Sequence, residues 1–397
     1  MDIRDLYALL TPLGQQALAD AEALQPREKD FLNHFTTLSR RYSAELARAA
    51  LETAILRGEA SVKFPGAGRM YFTRSALEQA SAAQVSAYRS NRFAGFAALL
   101  DLGCSIGGDT LALAAHAPTI AIDWDPLRLT MARLNLAALL PDKRTAFIQA
   151  DLNQPLPLQL TPRLGLFFDP GRRSQSRRIR SVRRYEPPLE VIQGWLPQAS
   201  ALGVKLSPGV NLAELRGDDA EIEFVSLNGE LKEALLWFGA LKSTGRRAAL
   251  LPGPHVLEAA PGETDPPPQL DAPRAYLYEP DAAVLRAGLV RKLGAQLGAA
   301  QLDPDIAYLT ADRLVDTPFA KAFAVEDWLP FNLKRLRALL RARRVERVVV
   351  KKRGSPLQPE ALIRELRLRP GEAEEAQRIV VLTHLRGRPI AVICLPA

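Results

Sequence analysis

Four aspartates carry the chemistry that can be read first from this 397-residue chain. Asp101, Asp123, Asp151 and Asp169 each follow a short apolar run of strand length. A carboxylate at a strand end accepts hydrogen bonds from hydroxyls or amines of a ligand. The first aspartate opens into Leu102-Gly103-Cys104-Ser105-Ile106-Gly107-Gly108-Asp109-Thr110, followed by a helical pattern. Strand, glycine loop and helix in that order form the context of a nucleotide-cradling loop. Glycines let the backbone approach a ligand where a Cβ would collide, and the helix start supplies free amides. In a dinucleotide fingerprint that loop receives a pyrophosphate. Asp101 would oppose a pyrophosphate and suits a cationic ligand instead.

The later aspartates fit the same scheme. Asp123 lies about 20 residues past the loop, where an acidic side chain can accept from ribose hydroxyls, and Trp124-Asp125-Pro126 follows it. The fourth run ends in Asp169-Pro170-Gly171-Arg172-Arg173. An arginine-rich stretch continues from there with Arg177, Arg178, Arg180, Arg183 and Arg184. Arginine's planar fork engages phosphate oxygens in pairs, so the stretch reads as a phosphate-backbone contact. Lys351, Lys352 and Arg353 close a valine run before Gly354 and read as a second phosphate contact.

The loop resembles motif I of class I S-adenosylmethionine-dependent methyltransferases, usually D/E-x-G-x-G-x-G, with Ser105 here at the middle glycine. The resemblance implies S-adenosylmethionine as cofactor, held by Asp101, Gly103, Ser105, Gly107, Asp123 and Trp124, with Asp151 near the adenine amine. It implies that Asp169 and Pro170 orient an amine acceptor at the position of motif IV. In related enzymes with D/N-P-P-Y/F an aromatic stacks on the target base. That aromatic is absent here, so stacking falls to Phe168, Tyr71 or Tyr185. The segment Tyr71-Phe72-Thr73 ahead of the loop is similar to an element of trimethylguanosine synthase-like enzymes. It nominates Thr73 for the cofactor and Tyr71 and Phe72 for a lid over the substrate, or equally for a hydrophobic staple onto the next helix. The D-P-x-R shape is also similar to RNA uracil C5 methyltransferases, but neither cysteine is placed as their nucleophile. Residues 276–289 and 348–354 resemble the THUMP-like domain that follows a methyltransferase core in a bacterial family. THUMP domains proper bind RNA, which implies RNA as partner, tRNA foremost.

Elements that would position these groups follow from periodicity. Residues 1–92 read as a helical region, with helices over 13–24, 32–56 and 75–92. Residues 93–252 read as an α/β, Rossmann-like, doubly wound methyltransferase sheet of seven strands. The Pro-rich stretch at 253–273 is a linker, and 274–397 forms an α+β THUMP-like domain with a closing hairpin over 378–394.

Composition sets the bounds. Hydrophobic residues make up 47% and charged ones 24%, ordinary for globular domains. The net charge of +8 points to an anionic partner. Two distant cysteines form no disulfide framework and four scattered histidines no zinc site. No run approaches the ~18 apolar residues of a membrane span. These features predict a soluble, cytoplasmic, metal-free protein of open oligomeric state. The reading is an S-adenosylmethionine-dependent methyltransferase acting on RNA, tRNA ahead of rRNA, at a base nitrogen. Its alternatives are a methyltransferase of small molecules or proteins, and an inactive protein that binds the cofactor and RNA.

Overall fold

The computed structural model describes residues 1–171, 173–174, 177–178, 181–215, 219–368 and 377–397, excepting the side chains of 173, 174, 177 and 178. Two compact units divide the chain: Met1–Ile222 with Lys232–Ser243, and Glu223–Leu231 with Thr244–Ala397.

The first unit opens with helices α1 (Ile3–Leu9), α2 (Pro12–Ala23), α3 (Phe31–Leu38) and α4 (Ala44–Ala60). One long helix expected over 32–56 is two, because the Ser43 side chain accepts from the Leu46 N–H and starts α4 afresh. Leu6, Leu18, Leu46 and Leu51 pack with Phe64, Phe72, Ile106 and Met131 into one core. Helices α5 (Arg74–Gln79) and α6 (Ala83–Ser90) replace the single helix expected over 75–92. Lys63 Nζ donates to the carbonyls of Leu77 and Ala80 at 2.7 and 3.0 Å. It thereby satisfies the open helix end and lets the chain turn at Ala80 and Ser81.

The sheet of this unit starts with β1 (Ala98–Leu102), α7 (Gly108–Ala114), β2 (Thr119–Asp123), α8 (Pro126–Leu139), β3 (Thr145–Gln149) and β4 (Leu164–Phe168). The two-residue strands β5 (Arg173–Ser174) and β6 (Arg177–Arg178) pair antiparallel. After α9 (Ile192–Trp195) come β7 (Ala201–Leu206), β8 (Glu221–Leu227) and β9 (Glu230–Gly239). Within the unit the strand order is β9-β7-β4-β1-β2-β3, parallel except for β9, while β8 leaves only Glu221 and Ile222 in this unit. This is the doubly wound order, with neighbours switching direction at β1. Register sets the site: Leu102 pairs with both Ile122 and Phe168, so β1, β2 and β4 end level.

In the second unit β10 (Arg246–Leu251) and β11 (His255–Ala259) pair antiparallel. The remainder contains β12 (Tyr276–Pro280), α10 (Ala282–Arg286), α11 (Val290–Leu297), β13 (Ala300–Asp303), β14 (Ile306–Ala311) and β15 (Ala320–Pro330). It ends with α12 (Leu333–Ala342), β16 (Arg347–Lys352), α13 (Pro359–Leu366), β17 (Gln377–Leu385) and β18 (Arg388–Pro396). The seven-stranded order is β13-β14-β12-β15-β18-β17-β16. Alternation along β17 sends Val381 to the core with Tyr308 and Phe323, and Val380 and Leu382 to the core under α12 and α13. The expected closing hairpin is β17–β18, turning at Arg386 and Gly387, both at positive φ. Among the described residues no helix is long and apolar enough to cross a membrane.

Candidate active site

Beyond the level strand ends lies a cavity of about 340 Å³ within the first unit, inside the ~300–1,000 Å³ typical of small-molecule sites. The β1–α7 loop contributes Gly103, Cys104, Ser105, Ile106 and Gly108, and β2 contributes Asp123 and Trp124. Asp151, Leu152 and Asn153 follow β3, and Asp169, Pro170 and Gly171 follow β4. Ala76, Gln79, Ala80 and Ser81 border it from the segment that Lys63 holds.

The loop is built by three residues at positive φ, Gly103, Ser105 and Gly107. A Cβ on Gly103 would stand 2.6 Å from the Asp169 carbonyl oxygen, so glycine alone lets β1 and β4 end side by side. Gly107 packs on Ala132 and Leu136 of α8 and lies outside the cavity lining. Ser105 holds φ +49 and its N–H donates to Asp123 Oδ2 at 2.8 Å. Asp123 Oδ1 accepts from the Asp125 N–H at 2.9 Å. Each oxygen keeps a second lone pair, and burial pushes the Asp123 carboxyl above the usual range despite those two amides. Trp124 is 69% exposed at the rim. Asp151 is exposed, and its Oδ1 accepts from both the backbone and side-chain N–H of Asn153.

Asp101 sits one layer beneath. It is fully buried, does not line the cavity, and accepts from the Thr110 hydroxyl. Burial, reinforced by the charge of Asp109, pushes its carboxyl up to about 8. Thr73 caps α5 through the Ala76 N–H and also lies outside the lining.

The lid expected of Tyr71 and Phe72 is not formed. Both rings are buried: Phe72 against Phe64, and Tyr71 under the Arg57 guanidinium with its hydroxyl accepting from Gln15. Stacking by Phe168, Tyr71 or Tyr185 is corrected with them, since all three are core side chains. Phe168 meets Trp195 edge-on, and the Tyr185 hydroxyl accepts from the Ser207 N–H. The apolar faces that do border the cavity near Asp169 belong to Pro170 and Pro187.

Asp169 does not stand alone. Phe168 of β4 pairs with Val204 of β7, so the next residues, Asp169 and Lys205, lie side by side. Lys205 Nζ donates to Asp169 Oδ2 at 2.6 Å and stands 3.8 Å from Asp109 Oδ2. Asp109 accepts from Ser86 and Arg89, and Arg89 donates onward to Glu233 Oε1. Ser81, back at the cavity, donates to Glu233 Oε2 at 3.1 Å. Burial opposes the Asp109 charge, but Arg89 and Lys205 outweigh it and hold that carboxyl below its usual range. Sequence reading missed Lys205, Asp109 and Glu233; the one signal available was a lysine inside the apolar run Ala201-Leu202-Gly203-Val204-Lys205-Leu206.

Arg172 and Arg180, and the side chains of Arg173, Arg177 and Arg178, lie outside the described residues. In the second unit Lys351 donates to Glu279 Oε2 at 2.6 Å, and Arg353 donates to the Pro280 carbonyl and covers the Tyr308 ring. Lys352 donates to Gln358. Two of the three expected phosphate contacts therefore face their own domain.

Comparison with known proteins bears on this arrangement. Residues 320–396 match the family model described as THUMP domain-like, and residues 2–60 match Domain of unknown function (DUF8688). Over 331 residues the chain is 37% identical to an uncharacterized S-adenosylmethionine-dependent methyltransferase of Mycobacterium tuberculosis strain CDC 1551 / Oshkosh, covering 80% of this chain and 88% of that protein. The counterpart in strain ATCC 25618 / H37Rv matches to the same extent. A crystal structure of a candidate methyltransferase from Porphyromonas gingivalis W83 shares the fold, with a TM-score of 0.73 at 22% identity over 94% of this chain and 99% of that one. The chain belongs to the S-adenosylmethionine-dependent methyltransferases, and S-adenosylmethionine is its cofactor.

Proposed function

We propose that this protein methylates RNA at a base nitrogen, with tRNA ahead of rRNA. One observation carries the reading: Asp123 and Asp169 border a single cavity from strands on opposite sides of β1 and its glycine loop. That gives the cavity a donor half and an acceptor half, each with its own carboxylate.

The residues present fit the cofactor. A Cβ at Gly103 would close the loop against Asp169, so this corner is kept open for close backbone approach. Asp123 has lone pairs for ribose hydroxyls, Trp124 offers an exposed ring face for adenine, and the Asp151 carboxylate lines the cavity where it would accept from the adenine amine. When bound, S-adenosylmethionine supplies an electrophilic methyl group on a positively charged sulfur. The protein's task is to hold an acceptor in line with that group. Asp169, its Oδ2 engaged by Lys205, accepts an acceptor N–H on Oδ1, and the Pro170 carbonyl accepts a second. No general base is required of the chain for a neutral amine acceptor.

Support for RNA comes from the THUMP-like match, the net charge of +8 and the arginine-rich segment after Asp169. The test is incubation with methyl-labelled S-adenosylmethionine and separate pools of bulk tRNA, bulk rRNA, protein and small molecules. Label entering tRNA most, with rates that fall steeply as salt rises, is expected. Label confined to protein or small molecules contradicts the reading.

A further inference from the structure

Lys205 is 2% exposed, yet it lines the cavity. An ammonium has three N–H donors. Among the described residues only one of them is engaged in a hydrogen bond, to Asp169 Oδ2. The Asp109 carboxylate, at 3.8 Å, balances charge without forming a hydrogen bond. Burying a cation with donors unmet is costly, and a ligand entering the cavity that Lys205 lines can meet them. Its neighbour Asp169 has the complementary surplus: Lys205 takes Oδ2, and among the described residues no donor reaches Oδ1, which is open to a ligand. The pair is fixed from behind: the in-register strands place it, and Arg89, itself paired with Glu233, pins Asp109.

We propose that Lys205 is a specificity-determining contact of the acceptor site, presenting a donor beside the acceptor oxygen of Asp169. The inference rests on the reading that Asp169 faces the acceptor, and it narrows that reading. The edge it fits has an N–H next to a lone pair on the same ring system: an exocyclic amine flanked by an unprotonated ring nitrogen. A ribose hydroxyl or an isolated alkylamine offers one half of that pattern and leaves the other charge unmet. Charge-assisted hydrogen bonds of this kind discriminate strongly when desolvated.

An experiment that needs no RNA tests the placement. Sinefungin carries an amine where the cofactor carries its transferable methyl, whereas S-adenosylhomocysteine carries nothing there. Calorimetry gives the ratio of their affinities for the full-length protein, Lys205→Met and Asp169→Asn. Removing the ammonium frees Asp169 for the sinefungin amine. The ratio is expected to move toward sinefungin by about tenfold in Lys205→Met and away from it in Asp169→Asn, the size of effect that one charge-assisted hydrogen bond produces. S-adenosylhomocysteine itself should stay within about twofold. A merely structural lysine would weaken both ligands together. If Lys205→Met does not fold, Lys205→Gln is read in the same way. A ratio unmoved in the variants overturns the proposal, whatever RNA does. Labelled transfer into bulk RNA is the second arm, and mass spectrometry of the digest should show methyl on an exocyclic amine. Methyl on ribose or on a pyrimidine carbon overturns the proposal. A ratio that shifts while wild-type protein labels no RNA sustains the place of Lys205 and sinks the RNA reading instead.

Discussion

Ser105 donates its backbone N–H to Asp123 Oδ2 across 2.8 Å while holding a φ of +49. One carboxylate thus fixes the loop and faces the cavity at once. Asp123→Ala removes both functions. It should weaken S-adenosylhomocysteine binding by roughly 1–3 kcal/mol, the usual cost of losing a buried polar partner. Calorimetry on the folded variant checks this, and unchanged affinity would withdraw the ribose role from Asp123.

Gly103→Ala is the steric counterpart. Its Cβ would stand 2.6 Å from the Asp169 carbonyl oxygen at a φ of +85. Overpacking costs about 1–3 kcal/mol, and a Cβ at positive φ costs roughly 1–2 kcal/mol more. Both thermal stability and cofactor affinity should fall, because the strand ends that frame the cavity are forced apart. A variant with wild-type melting and wild-type affinity would contradict this packing.

Asp101 predicts a pH dependence. Burial and the neighbouring Asp109 lift its carboxyl from 3.8 to about 8. Between those values the folded protein keeps a proton that the unfolded chain has released. Its contribution to stability is therefore full at low pH, declines as pH rises through that window, and is gone above about pH 8. Asp101→Asn cannot ionise, so its denaturant midpoint should fall less than that of the wild type between pH 6 and pH 9. Parallel curves would show that Asp101 is ionised throughout.

The two basic clusters should separate in solution. Lys351 and Arg353 are tied to Glu279, so alanine there should lower stability, by up to about 1 kcal/mol per partly exposed pair, and leave the salt dependence of RNA binding intact. Replacing Arg177, Arg178 and Arg180 together should flatten that dependence. An unaltered slope would make the arginine stretch an ordinary solvated face.

Asp101, Asp123 and Asp169 were legible because a buried parallel strand writes itself as an apolar run whose end is marked by the first charge. The glycine loop was legible because Gly103 has no steric substitute. Partners across the sheet were not. Asp169 and Lys205 lie 36 residues apart in the chain, and only the β4–β7 register brings them together. Arg89 and Glu233 are separated by 144 residues. The aromatic run Tyr71-Phe72 misled for a related reason: sequence gives ring identity without direction, and the helical core behind claimed both rings. A short-range cap was also invisible, since the Lys63 contacts that divide α5 from α6 arise from outside the helix.

The central claim is that the cofactor occupies the cavity between the glycine loop, Asp123 and Asp169. A crystal structure of the full-length protein with S-adenosylhomocysteine tests it most directly. Ribose hydroxyls are expected within hydrogen-bond distance of the Asp123 carboxylate, adenine beside Trp124 and Asp151, and the sulfur turned toward Asp169. Ligand bound elsewhere, or bound with its ribose away from Asp123, would contradict it.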